Sequence, residues 1–164
     1  SVRATALDGA VLQMFSHGLV TGALFFLVGM IQERAHTREM GEFGGLLKTV
    51  PLLGWSFMLA AFASLGLPGL AHFPAEFQIF LSTLGTVPAA VVAILGIAII
   101  AGTFLKAIRE TFLGEPQQRW HSMPDLSVRE LLAVAPLLVL TLVTGVAPFW
   151  VLDIIHRTTS ALVL

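Results

Sequence analysis

Glu76 is the only charged residue between Thr49 and Leu105 in a chain of 164 residues. A carboxylate isolated in apolar sequence costs on the order of several kcal/mol unless it is paired, hydrated or protonated. A carboxyl group in such a place is suited to taking up and releasing a proton. A plainer reading stands beside this one: an acid in the first turn of a helix, where the helix dipole favours it. His72 lies four residues earlier, where it could hydrogen-bond the acid or satisfy an orphan backbone carbonyl. His17 sits in LQMFSHGLV, with Gln13 and Thr21 one turn to either side on the same helix face. Imidazole both donates and accepts, with an ordinary pKa of ~6.5, which suits a relay; a hydrogen-bonded packing histidine is the alternative. Lys106 ends an apolar run together with Arg109 and Glu110. These read first as anchors snorkelling to a membrane surface, with Lys106, the deepest, a secondary relay candidate.

The rest of the composition removes other chemistries. There is no cysteine, and with it go disulfide scaffolds, thiolate metal sites, iron–sulfur ligation and thiol nucleophiles. Nine Lys and Arg against ten Asp and Glu build no basic groove for nucleic acid. No nucleotide-binding glycine motif, zinc spacing or hydrolase triad occurs, so neither a cofactor nor a metal is expected in this chain.

Long charge-free stretches supply the elements that hold these side chains. Only 12% of residues are charged and 56% are hydrophobic, with a mean hydropathy of +0.88; an average soluble domain has about 25% charged residues. Asp, Glu, Lys and Arg are absent from Gly9 to Gln32, from Thr49 to Ala75, from Phe77 to Leu105 and from Leu131 to Leu152. Each gap exceeds the roughly 20 residues that an α-helix needs to cross a bilayer, and no alternating pattern suggests a membrane barrel. The expected fold is an all-α integral membrane bundle, a single domain over residues 1–164. Its helices are expected at about 9–32, 88–112 and 128–150, with a broken span at 51–67 plus 74–84.

The break is placed at Pro68-Gly69, and Pro74 restarts the helix where a missing N–H costs nothing. Two topologies compete, one broken span or a hairpin crossing twice. The second half, about 11 residues or roughly 16 Å long, is too short to cross alone. A single broken span also puts Arg34, Arg38, Lys48, Arg109, Arg119 and Arg129 on one side and only Arg3 and Arg157 on the other. Positive charge favours the cytoplasmic side, so the loops are expected inside and both termini outside. Broken helices in membranes commonly line ion or substrate sites. The segment Glu33–Glu42, ERAHTREMGE, reads as a surface loop with local salt bridges, and Gly44-Gly45 as a turn.

The order of Ser16-His17-Gly18, His36-Thr37-Arg38-Glu39, Gly44-Gly45, the run Ser64 to Leu70 and Glu76-Phe77 resembles the C-terminal third of the antiporter-like membrane subunits of respiratory complex I, nearest the subunit M (chain 4) type. The similarity covers about residues 9–150. It implies a 14-helix protein with two inverted five-helix repeats, of which these spans correspond to the last four. It also implies that Glu76 is the outer-half proton site and that His17 belongs to the polar axis leading to it. Where that family places a glycine just before the acid, this chain carries His72-Phe73-Pro74-Ala75, which adds a titratable group and stiffens the loop. The family's central lysines would lie upstream of Ser1, so the chain is expected to be a fragment, a split gene product or a truncated paralogue.

The function implied by the resemblance is a proton-translocating subunit of a redox-driven NADH (or ferredoxin):quinone oxidoreductase in an energy-coupling membrane. It would have no redox site of its own, and flavin, iron–sulfur and quinone would belong to partner subunits. Its partners would be other membrane subunits, the missing part of the channel and lipid. A cation/proton antiporter subunit and a purely structural membrane module remain as alternatives.

Overall fold

A computed structural model describes residues 2–83 and 87–162. Among them the chain is all helical. Its elements are α1 (Val2–Ala35), α2 (Leu46–Thr49), α3 (Pro51–Ser64), α4 (His72–Thr83), α5 (Val87–Thr111), α6 (Val128–Val146) and α7 (Phe149–Leu162), with 3-10 turns at Met40–Glu42 and Gln118–Trp120. Two helices among the described residues, α1 and α6, are long and apolar enough to cross a bilayer.

Helix α1 packs against α3, α4, α6 and α7. Its lower half contributes Ala23, Leu27, Met30 and Ile31 to a core shared with Leu53, Phe57, Ala60, Ala61, Phe112, Val134 and Leu138. A smaller cluster joins Leu12 to Ala75 of α4 and to Val151 and Ile155 of α7. Small residues allow the tightest approaches. A β-carbon on Gly9 would stand 2.9 Å from Gln78 Cβ and 3.1 Å from Ala75 O, and one on Gly145 would overlap the backbone of Gly69 and Leu70. Large apolar side chains such as Phe25, Val92, Ile99, Leu132 and Val146 face outward, the pattern of a surface made for lipid or neighbouring protein.

Helix boundaries differ from the charge-free runs for local reasons. The run expected as one helix over 128–150 is two helices. Pro148 has no N–H with which to continue α6, and its carbonyl instead accepts from Val151 N at 3.1 Å as α7 opens. Helix α3 ends at Ser64, not at 67, because Gly66 takes a left-handed conformation (φ 68°). Leu67 N then bonds Phe62 O at 3.3 Å and Gly66 N bonds Ala63 O at 3.2 Å, the pair of bonds that closes a Schellman C-cap. Helix α4 begins at His72, two residues before Pro74. Leu84, the expected end of the second half at 74–84, lies outside the described residues. Helix α1 runs beyond 9–32 at both ends, since charged residues continue a helix readily once it has reached the membrane surface.

The loops before α3 and after α5 are stapled together at one end of the bundle. Gly45 N donates to Leu113 O at 2.8 Å and Leu47 N to Phe112 O at 3.1 Å. Trp120 Nε1 donates to Glu42 O at 2.8 Å, and Lys48 pairs with Glu115 at 3.0 Å. Gly45 is left-handed (φ 63°), and a β-carbon there would collide with Glu115 and Pro116. Within 33–42, Glu42 pairs with Arg119 of the other loop at 3.5 Å, while Arg38 bonds the nearby Gln32 at 2.6 Å. Arg34 bonds Glu130 at 2.7 Å as well as the carbonyls of Pro124 and Asp125. Asp125 in turn caps α3, accepting from Leu52 N at 2.8 Å and Leu53 N at 3.0 Å.

Candidate functional site

The site forms where α1 passes the segment between α3 and α4. That segment is held on both sides: Ser16 Oγ donates to Ala71 O at 2.9 Å from α1, and Gly145 lets α6 press against Gly69 and Leu70. Gly69, with φ 89°, and the rigid ring of Pro68 turn the chain toward α4. Pro74 falls in the first turn of α4, where its missing N–H leaves no bond unmade. Because the helix begins at His72, Glu76 sits one position past the first turn, so the helix dipole gives it less support than a start at Pro74 would.

Three of the four relay candidates come together. His72 is buried, 3% exposed, and its Nδ1 lies 3.9 Å from Glu76 Oε1, longer than a hydrogen bond. His17 stacks on it, with ring centroids 5.9 Å apart and planes 23° apart. Among the described residues both nitrogens of His72 lack a hydrogen-bond partner; the carbonyls of Ser64 and Ser16 act on the ring without meeting hydrogen-bond geometry. His72 thus makes neither of the bonds its sequence position offered. Gln13 reaches the Glu76 carboxyl from α1, and Thr21 Oγ1 lies 3.3 Å from the His17 ring nitrogens.

Two clefts flank this group. A cleft of about 420 Å³ is lined by His17, Thr21, Phe57, Ser64 and Phe104. A second, about 260 Å³, is lined by Leu65, Gly66, Phe73, Glu76 and Ile97. His17 lines the first and Glu76 the second; the buried His72 lines neither, but contacts both His17 and Glu76. Lys106 is elsewhere: it is exposed near the stapled end of α5, 4.0 Å from Glu110. Among the described residues no three His, Asp or Glu side chains converge as metal ligands.

Two groups escaped sequence reasoning. Gly66 is one, since its role appears only when α4 folds back and lays the Glu76 carboxylate against it. The other is Asp8, buried at 7% exposure and bonded by His156 and Thr159 of α7. The partners lie 148 and 151 residues away, a separation that leaves no local signal.

Comparison with known proteins identifies the family of the chain. Residues 2–104 match the family described as "NADH:quinone oxidoreductase/Mrp antiporter, TM". The chain is 37% identical to the NADH-quinone oxidoreductase subunit M of Rickettsia typhi, over 98% of this chain and 33% of that protein. It is 36% identical to the F(420)H(2) dehydrogenase subunit M of Methanosarcina mazei, over 96% of this chain and 32% of that one. Among solved structures it superposes on a chain of respiratory complex I from Thermus thermophilus with a TM-score of 0.86 at 29% identity, covering 96% of this chain and 34% of that chain. The chain thus spans about a third of the length of the curated relatives it matches. With its all-helical bundle and its match over residues 2–104, the chain is an integral membrane protein that belongs to the NADH:quinone oxidoreductase/Mrp antiporter transmembrane family.

Proposed function

We propose that this chain is part of a proton-translocating membrane subunit of a redox-driven NADH (or ferredoxin):quinone oxidoreductase, and that it carries the outer half of a proton path. The observation that carries this reading is that His72 is stacked on His17, which lines one cleft, and lies 3.9 Å from Glu76, which lines another. A proton entering beside His17 and Thr21 passes to the His72 imidazole, which can accept at one nitrogen and donate from the other. Glu76, half-buried with its carboxylate against Gly66, takes the proton across the 3.9 Å gap through one bridging water and carries it to its own cleft. His17, His72 and Glu76 form this path; Lys106 joins only if a helix from outside the chain links it. Pro68, Gly69 and Pro74 shape the break that exposes these groups.

In this reading there are four spans, the second made of α3 and α4 with the break between them. The stapling of the two basic loops at one end of the bundle supports that topology, since a hairpin crossing twice would set them apart. Those loops face the cytoplasm and the termini face out, in an energy-coupling membrane. Electron transfer belongs to partner subunits, which hold the flavin, iron–sulfur centres and quinone, and further membrane chains complete the channel around α1 and α5.

The test is Glu76→Gln in the assembled complex, reconstituted in vesicles at matched complex content. Gln keeps size and hydrogen bonding and removes titration, so translocation should fall with assembly intact. Wild-type pumping by this variant refutes the role. A second reading, a cation/proton antiporter subunit, is favoured by the family's own description, which joins oxidoreductase and antiporter members. Sodium-dependent uptake that persists without a redox donor would select it.

A further inference from the structure

We propose that Asp8 and His156 form a proton-release port at the end of the bundle opposite the stapled loops, with Thr159 holding the carboxylate in place. The proposal rests on the proton-path reading of Glu76 and adds the point where protons leave. Asp8 is 7% exposed. His156 Nδ1 lies 2.7 Å from its Oδ2, and Thr159 Oγ1 donates to its Oδ1. The His156 side chain itself is 62% exposed, so a buried carboxylate is joined to water through a single imidazole. The same hydroxyl lies 3.1 and 3.3 Å from the carbonyl oxygens of Ile155 and His156, so its one hydrogen is shared between the carboxylate and the backbone of α7.

From α7 the carboxylate faces His156 and Thr159; Asp153 and Arg157 on that helix are exposed. From α4 the groups nearest the neighbouring Gly9 are Ala75 O and the neutral Gln78. Glu76 is the residue after Ala75, which places the port beside the start of the α4 segment that bears the proton site. Along α1, Asp8 lies five residues from Gln13, roughly 7.5 Å of helix rise, and the Gln13 side chain acts on the Glu76 carboxyl.

An ionised carboxylate accepts only, so Nδ1 carries the hydrogen toward Asp8. A proton arriving from inside protonates the Asp8 carboxylate; the exposed ring then exchanges its Nδ1 hydrogen for one on Nε2 through outside water, and Asp8 passes its proton to the vacated Nδ1, giving an imidazolium beside the restored carboxylate. Loss of the Nε2 hydrogen to outside water regenerates the neutral ring still donating to Asp8. One proton enters and one leaves, and the buried charge is compensated whenever the port is loaded. A clasp that only tied α7 to α1 would need no titratable group at the exposed end.

The test uses the intact complex in vesicles, with Asp8→Asn, His156→Gln and Glu76→Gln compared at matched content. Asp8→Asn and His156→Gln should each lose most of the translocation. His156→Gln should also flatten its dependence on the pH of the solution bathing His156, and imidazole added to that solution should restore pumping. Should both port variants pump like wild type with the wild-type pH profile while Glu76→Gln fails, the port is overturned and the Glu76 reading stands. Wild-type pumping by all three overturns both. If Asp8→Asn does not assemble, His156→Gln decides, because the Gln amide keeps a donor for Asp8 at an exposed position and removes only the titration.

Discussion

The Glu76 carboxylate lies directly against the Cα of Gly66: a β-carbon on that glycine would stand 3.0 Å from Glu76 Cδ and overlap Oε2. Gly66 is also the left-handed cap of α3. Gly66→Ala should therefore cost about 1–2 kcal/mol through the backbone alone and also push the carboxylate out of its seat beside the cleft. Assembly should fall slightly and translocation per assembled complex much more, read by comparing vesicle pumping with complex content. An unchanged ratio of the two would show that the position of the carboxylate is not critical.

His72 carries two buried nitrogens without partners, an arrangement that lowers stability, since an unsatisfied buried polar group costs about 1–3 kcal/mol. His72→Phe keeps the ring stacked on His17 and removes both nitrogens. The variant complex should melt at the same temperature as wild type or higher, yet pump less. Reduced stability with normal pumping would make His72 a packing residue.

Two introduced cysteines test the topology cleanly, because the chain has none of its own. Thr37→Cys and Gln118→Cys lie on the two stapled loops. Both should react with an impermeant maleimide from the cytoplasmic side only. Reaction from opposite sides is incompatible with α3 and α4 forming one broken span.

Asp125 accepts from Leu52 N and Leu53 N at the start of α3, where Val50 provides no side-chain cap. Asp125→Ala should cost about 1 kcal/mol or somewhat more, seen as a lower midpoint of thermal unfolding in detergent. Asp125→Asn, which keeps one acceptor, should lose less.

The long helices were legible because a bilayer forbids charge over about 20 residues, and the absence of charge marks α1, α5 and α6 directly. Glu76 and His17 stand out in the sequence for the converse reason, being polar within apolar runs, and the structure sets both beside His72. Helix α7 was not legible, because it is amphipathic, with Asp153, His156 and Arg157 on its exposed side; a search for charge-free runs passes over such a helix. The end of α3 was misplaced because Pro68-Gly69 is the louder signal, while Gly66 is what reverses the backbone. Contacts such as Arg34–Glu130 and Asp8–His156 join residues 96 and 148 positions apart, and only the packed helices reveal them.

Helix α1 is 34 residues long, roughly 50 Å at 1.5 Å per residue. Arg34 is anchored at one of its ends and Asp8 near the other, with Ser16 and His17 between. The helix contains no proline at which it could bend sharply. Mechanically it is a single stiff bar, and a push along its axis displaces every polar contact on it by the same amount. A shift of an ångström or two at the Arg34 end, driven by whatever moves the stapled loops, would reach the Ser16–Ala71 bond and the Asp8–His156 pair undiminished. The two ends of the molecule are geared to one another by the covalent chain itself, with no need for a relay of side-chain rearrangements between them.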